Sequence, residues 1–137
     1  MPGNETIYKS PRAYLPIVWV DNNLPVNADR NMAAAGFPAG LDQIPVAKDG
    51  SLTSVVLLLT QAVTSGTITL TLRINGVATA TQVTMDDTDG TVKVAEIAPG
   101  AVALVEGDTI GFHLATTTPF SPAAQIDVIV YVETQNA

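Results

Sequence analysis

The chain of 137 residues contains no cysteine. Disulfide frameworks and thiolate metal sites are therefore excluded, and cysteine usage carries no information about redox compartment. Charge is scarce: 14% of residues are charged, where an average soluble domain has about a quarter. Six basic residues face thirteen acids, for a net charge of −7. Nucleic acids and anionic membranes are held by clustered Lys and Arg, so neither is an expected partner. Aromatics make up 5% of the chain, and His113 is its one histidine. The longest apolar runs, such as residues 55–59 (VVLLL), are far too short to cross a bilayer as a helix. The first residues, MPGNETIYKSPR, lack the basic-then-apolar order of an export signal. The expectation is a soluble protein that is made in a cytoplasm and does not leave it by the usual signal.

What is present is hydrophobic surface in quantity, 47% of the residues, in a chain the size of one ordinary domain. Such a chain folds, because disordered segments are highly charged and poor in β-branched residues. Composition shifts near residue 50. Six of the nine prolines come before it (Pro2, Pro11, Pro16, Pro25, Pro38, Pro45), as do four of the seven aromatics, Tyr8, Tyr14, Trp19 and Phe37. Proline lacks an amide donor and restricts its predecessor, which disfavours central strands and long helices. Residues 1–50 are therefore expected to form an extended arm packing on the body or on a neighbouring subunit, with Tyr8, Tyr14, Trp19 and Phe37 as contact candidates. Within it, residues 14–20 (YLPIVWV) suit one edge strand, and residues 31–36 (NMAAAG) suit a helical turn ended by Gly36.

From residue 51 to 137 the apolar period is two almost throughout, and no stretch shows helical periodicity. Residues 52–60 (LTSVVLLLT) are apolar on both faces and predict a strand covered on both sides. Residues 67–74 (TITLTLRI) alternate cleanly, then Asn75-Gly76 marks a tight hairpin because both residues tolerate positive φ. Further strands are expected at 77–85, 91–97, 108–116 and 125–133, separated by an aspartate turn (DDTDG), Pro99-Gly100 and a proline loop. In LVEGDTIGFHL, Gly107 permits a sharp corner, Asp108 can bond the turn backbone, and Ile110, Phe112 and Leu114 point inward. The expected fold is all-β: an antiparallel jelly roll or β-sandwich with an N-terminal arm.

Chemistry finds little purchase. A catalytic histidine needs a partner acid or nucleophile, and His113 lies on the face away from Ile110, Phe112 and Leu114. One histidine without cysteine makes a zinc site an unusual set of ligands. Asp86, Asp87 and Asp89 form a weak calcium candidate, lacking the spacing and the distal Glu of an EF-hand loop; the competing reading is a solvated hairpin turn. Arg73 and Lys93 are expected to point outward from their strands. There is no nucleophile elbow and no phosphate-cradling glycine loop. No catalytic residue and no cofactor is expected.

The succession TSGTITLTLRINGV, aspartate turn, ALVEGDTIGFHL, proline loop and IDVIVYVE resembles small jelly-roll virion proteins of tailed bacteriophages, over roughly residues 51–134. The Gly-Asp corner is also shared with trimeric jelly rolls of the complement and tumour-necrosis-factor type. The resemblance implies a homotrimer sitting on the capsid surface as a decoration or cement protein, with the major capsid protein as partner. Two alternatives stand beside it. One is a tail-fibre or baseplate head module binding a host-surface glycan. The other is a small carbohydrate-binding or carbohydrate-active β-sandwich.

Overall fold

The hairpin expected at Asn75-Gly76 is the hub of the architecture. A computed structural model describes residues 18–36 and 41–136, and the backbone of 12–14. Asn75 and Gly76 both take positive φ, +53° and +77°, and join β7 (Ile68–Ile74) to β8 (Val77–Met85). This pair is the innermost of a nested set. Moving outward along the chain in both directions, β6 (Gly50–Leu59) pairs with β9 (Val92–Glu96). Next, β3 (Asp29–Asn31) pairs with β11 (Thr109–Thr116), and β2 (Trp19–Asp21) with β12 (Val128–Asn136). The chain is thus one long hairpin rolled into two antiparallel sheets, which is the jelly roll.

The first sheet runs β9-β6-β12-β2, extended by β1 (Arg12–Tyr14) on β12, β4 (Ala33–Ala34) on β2 and β10 (Ala103–Leu104) beside β9 on β6. The second runs β3-β11-β7-β8, with β5 (Ile44–Pro45) beside β3 on β11. Alternation sends one parity of each strand into the space between the sheets. Leu52, Val55 and Leu57 meet Val128, Val130 and Val132 from the first sheet, and Ile68, Leu70, Leu72, Ile110, Phe112 and Leu114 face them from the second. A fully buried Val, Leu, Ile or Phe contributes roughly 1.5–3 kcal/mol relative to exposure, so this layer dominates stability. As expected from its composition, β6 is covered on both faces: Leu52 through Leu57 are all buried.

Of the two places expected for the segment before residue 50, body or neighbouring subunit, its described residues pack on the body, as part of the core. Trp19, Leu24, Met32, Ala34 and Ile44 belong to the same buried cluster as the strands after residue 50. Trp19 packs edge-on against Phe112, ring centroids 4.9 Å apart, and its Nε1 donates to the Asp42 carbonyl at 3.0 Å. Proline did not prevent this because β2, β3 and β4 are only two or three residues long and fit between the prolines, while Pro45 is one of the two residues of β5. No domain boundary lies at residue 50. Residues 31–36 form strand and turn rather than a helical turn, since Ala33 and Ala34 pair with Val20 and Trp19; Gly36 still takes positive φ, +84°. Likewise β2 is not an edge: it lies between β12 and β4.

Trp19→Ala is expected to cost about 3–5 kcal/mol, as for a large aromatic removed from a packed core. Urea unfolding measures it; a loss under about 1 kcal/mol would mean that residues 18–36 lie on the body without sharing its core.

Candidate functional site

The corner at Glu106-Gly107-Asp108 is tied to the hairpin tip. Gly107 takes φ +91°, a region that disfavours side chains. The Asp108 carboxylate accepts from the Val105 amide at 2.9 Å and from Asn75 Nδ2 at 2.9 Å. Asn75 Oδ1 accepts from the Thr109 amide at 3.0 Å, and the Asn75 amide donates to the Thr109 carbonyl at 2.9 Å. The Val105 amide and then the Asn75 side chain hold the Asp108 carboxyl below its ordinary range. The polar groups are engaged by one another, so the corner serves the roll's geometry.

His113 lies where its alternation puts it, on the outer face of the second sheet, half-buried between Asn31 and Thr71 in register. Its Nε2 sits 2.6 Å from Asp29 Oδ1, a well-exposed carboxylate. The residues in register with His113 are engaged elsewhere: Asn31 turns its Nδ2 to Asp42 at 3.0 Å, and the Thr71 hydroxyl accepts from Gln82 Nε2 at 3.2 Å. Gly111 explains the other small residue of the strand. A Cβ there would meet the Asp42 carbonyl oxygen at 2.9 Å and Gln43 Cγ at 3.1 Å, so residues 42–43 cross directly over β11.

The aspartate loop is not a hairpin turn within one sheet. It carries the chain from β8, at the edge of the second sheet, to β9, at the edge of the first. Asp86 Oδ1 accepts from the Thr88 hydroxyl at 2.6 Å and the Thr88 amide at 2.9 Å, which together lower its carboxyl's pKa, the hydroxyl most. Asp89 accepts from the Asp86 amide at 2.8 Å and from Lys93 Nζ at 3.2 Å. Carboxylates committed to the turn's own donors are poorly placed to converge on calcium, and no cluster of three metal-ligating side chains occurs among the described residues. Lys93 departs from expectation. It registers with inward-facing Leu57, and its ammonium reaches out along the sandwich edge to the Thr84 carbonyl at 2.7 Å. It therefore joins the two sheets while staying partly exposed. Arg73 does point outward and donates to the Gly76 carbonyl; its Nε is buried without a partner among the described residues.

Of the contact candidates, Trp19 is fully buried and unavailable to a neighbour. Tyr8 and Phe37 lie outside the described residues, and for Tyr14 only the backbone, in β1, is described. Among the described residues, part of the exposed apolar surface lies on the outer face of the first sheet, although Val56 near its middle is buried. Val92, Leu58, Ile129, Val20 and Ala33 are successive cross-strand partners, forming one apolar row across five strands. A second row, Val94, Val56 and Tyr131, runs beside it. Val92, Val94 and Ile129 are 53%, 51% and 37% exposed. A third row ends the patch with Glu96, Ser54 and Glu133. The sequence showed β6 as apolar on both faces but not which strands would line up beside it, so the row as a unit was not legible. The signal was the unbroken VVLLL of β6 and VIVYV of β12, where both parities are apolar.

Comparison of the sequence with protein-family models and with curated proteins finds no match. The site is therefore read from its geometry, and among the described residues that geometry offers a partly exposed apolar sheet face.

His113→Ala is expected to change stability by no more than about 0.5 kcal/mol, as for an exposed ion pair; a clearly larger loss in urea unfolding would show that the imidazole supports the sheet. Asp86 and Asp108 both titrate lower folded than unfolded. The stability they add is complete above about pH 4, the ordinary carboxylate range, and is lost as pH falls through their folded values. Asp108→Asn should therefore lower the urea midpoint more at pH 6 than at pH 2.5. An equal gap at both pH values would contradict a depressed Asp108.

Proposed function

We propose that this chain is a structural virion protein: a trimeric decoration or cement protein that binds and stabilises the capsid shell of a tailed phage. The observation that carries the reading is the apolar row Val92–Leu58–Ile129–Val20–Ala33 on the outside of a jelly roll. Contiguous apolar patches on a folded surface mark protein–protein contacts. Copies that each carry a net charge of −7 repel one another, so contacts between them need a surface of this charge-poor kind. The resemblance of residues 51–134 to phage jelly-roll proteins supplies the setting. Weak identical contacts repeated over a shell act together through multivalency.

A glycan-binding head is less well supported. Sugar rings stack on exposed aromatic faces, and Trp19, Phe112 and Phe120 are buried in the core, while Tyr131 is half-buried.

Light scattering at micromolar concentration should return three times the chain mass, and the protein should co-sediment with bare capsids of the phage whose genome carries it. A monomer that stays in the supernatant would overturn the proposal.

A further inference from the structure

We propose that Asn75-Gly76 is a deamidation site that the folded chain holds shut, and that conversion of Asn75 to aspartate or isoaspartate undoes the corner at Gly107-Asp108. This property belongs to the hairpin tip and is independent of the virion reading.

The chain has one Asn-Gly pair, and every other asparagine is followed by a residue with a side chain. In an Asn-Gly pair the glycine amide nitrogen attacks the asparagine Cγ. A C–N bond forms, and the side-chain nitrogen leaves as ammonia. Water then opens the resulting succinimide at one carbonyl or the other, giving aspartate or isoaspartate. Glycine is the most permissive follower because no Cβ obstructs the approach of its nitrogen. Asn75 is exposed, so water and hydroxide reach it, and burial offers no protection.

The protection lies in geometry. Ring closure requires the Asn75 side chain to turn back toward its own backbone, and both of its polar atoms are held by another strand's corner. Nδ2 donates to Asp108 Oδ1 at 2.9 Å, and Oδ1 accepts from the Thr109 amide at 3.0 Å. The Asn75 amide donates to the Thr109 carbonyl at 2.9 Å and Arg73 donates to the Gly76 carbonyl, so the backbone on either side is fixed too. Closure must break both side-chain bonds, one of them to a carboxylate, which slows it by at least about tenfold. The product does not fit where it forms. A carboxylate at residue 75 has no proton to give Asp108, so two like charges face each other where a donor met an acceptor. Isoaspartate also routes the backbone through one more carbon, in a two-residue turn whose residues take φ +53° and +77°.

The full-length protein is incubated at mildly alkaline pH, native and in urea, and residue 75 is followed by peptide mass mapping. In urea Asn75 is expected to deamidate faster than any other asparagine, and in the native protein at least about ten times more slowly than in urea. Native Asp108→Ala, which frees the Asn75 amide, should deamidate several-fold faster than the unaltered native chain. Val130→Ala, at a fully buried position on β12, controls for lost stability alone and should leave residue 75 slow. If circular dichroism shows Asp108→Ala to be unfolded, Asp108→Asn, which keeps one acceptor oxygen, takes its place. Asn75→Asp, standing in for the product, should lower the urea midpoint at neutral pH. Equal rates in urea and in the native protein end the proposal. So does a native rate that the Asp108 variant leaves unchanged, or one that Val130→Ala raises as much, because protection would then come from global folding and not from the grip on Asn75. An Asn75→Asp chain that unfolds at the unaltered midpoint overturns the claim that deamidation undoes the corner.

Discussion

Nine residue pairs register β6 against β12, and the two sheets depend on that ladder. It joins the first long strand of the sandwich to its last, and it sets which side chains of both strands enter the core. Normally the hydrophobic pattern itself pins such a register, because a slip of one residue turns every apolar group outward. Here both parities of both strands are apolar, so the pattern alone is a weak guide. Particular features hold the alignment instead. Thr53 Oγ1 donates to the Glu133 carbonyl at 3.1 Å and lies 3.0 Å from its carboxylate. The ladder shifts between Glu133 and Thr134, and a Cβ at Gly50 would run into the Gln135 carbonyl.

The same doubling of parity generates the outer surface. If β6 and β12 alternated strictly, their outward positions would be polar, as the threonines of β7 and β8 are. Instead Leu58 and Ile129 stand side by side and align with Val92 on one flank and Val20 on the other. The composition that makes these two strands good central strands thus puts apolar side chains on the outer face as well, buried at Val56 and exposed at Val92, Val94 and Ile129.

The second sheet shows the opposite solution. Its outer face carries Thr69, Thr71, Arg73 and His113, and residues 42–43 close over Gly111. Its long edge, β8, is irregular: the pairing shifts between Thr71 and Arg73, where Thr79 Oγ1 bonds the Leu72 carbonyl at 2.8 Å. Bulged edges resist unwanted strand addition. At the sandwich's open side Lys93 ties β9 back to the end of β8, so a cation in an acid-rich half of the chain supports the joint between layers.

The local sequence by itself determined the all-β class, the Asn75-Gly76 tip, the Gly107-Asp108 corner and the inward set Ile110, Phe112 and Leu114. Each follows from short-range physics: alternation with period two, positive φ at Asn and Gly, and a carboxylate beside free amides. Tertiary structure alone decided that residues 18–36 belong to the core, that the aspartate loop changes sheets, and that Lys93 bridges them. Those outcomes depend on which strands pair across 34 to 111 residues of chain, and strands of two or three residues carry too little pattern to announce a partner. The apolar row is of the same kind. Its five members come from five strands, and only the registers of four separate ladders bring them into line.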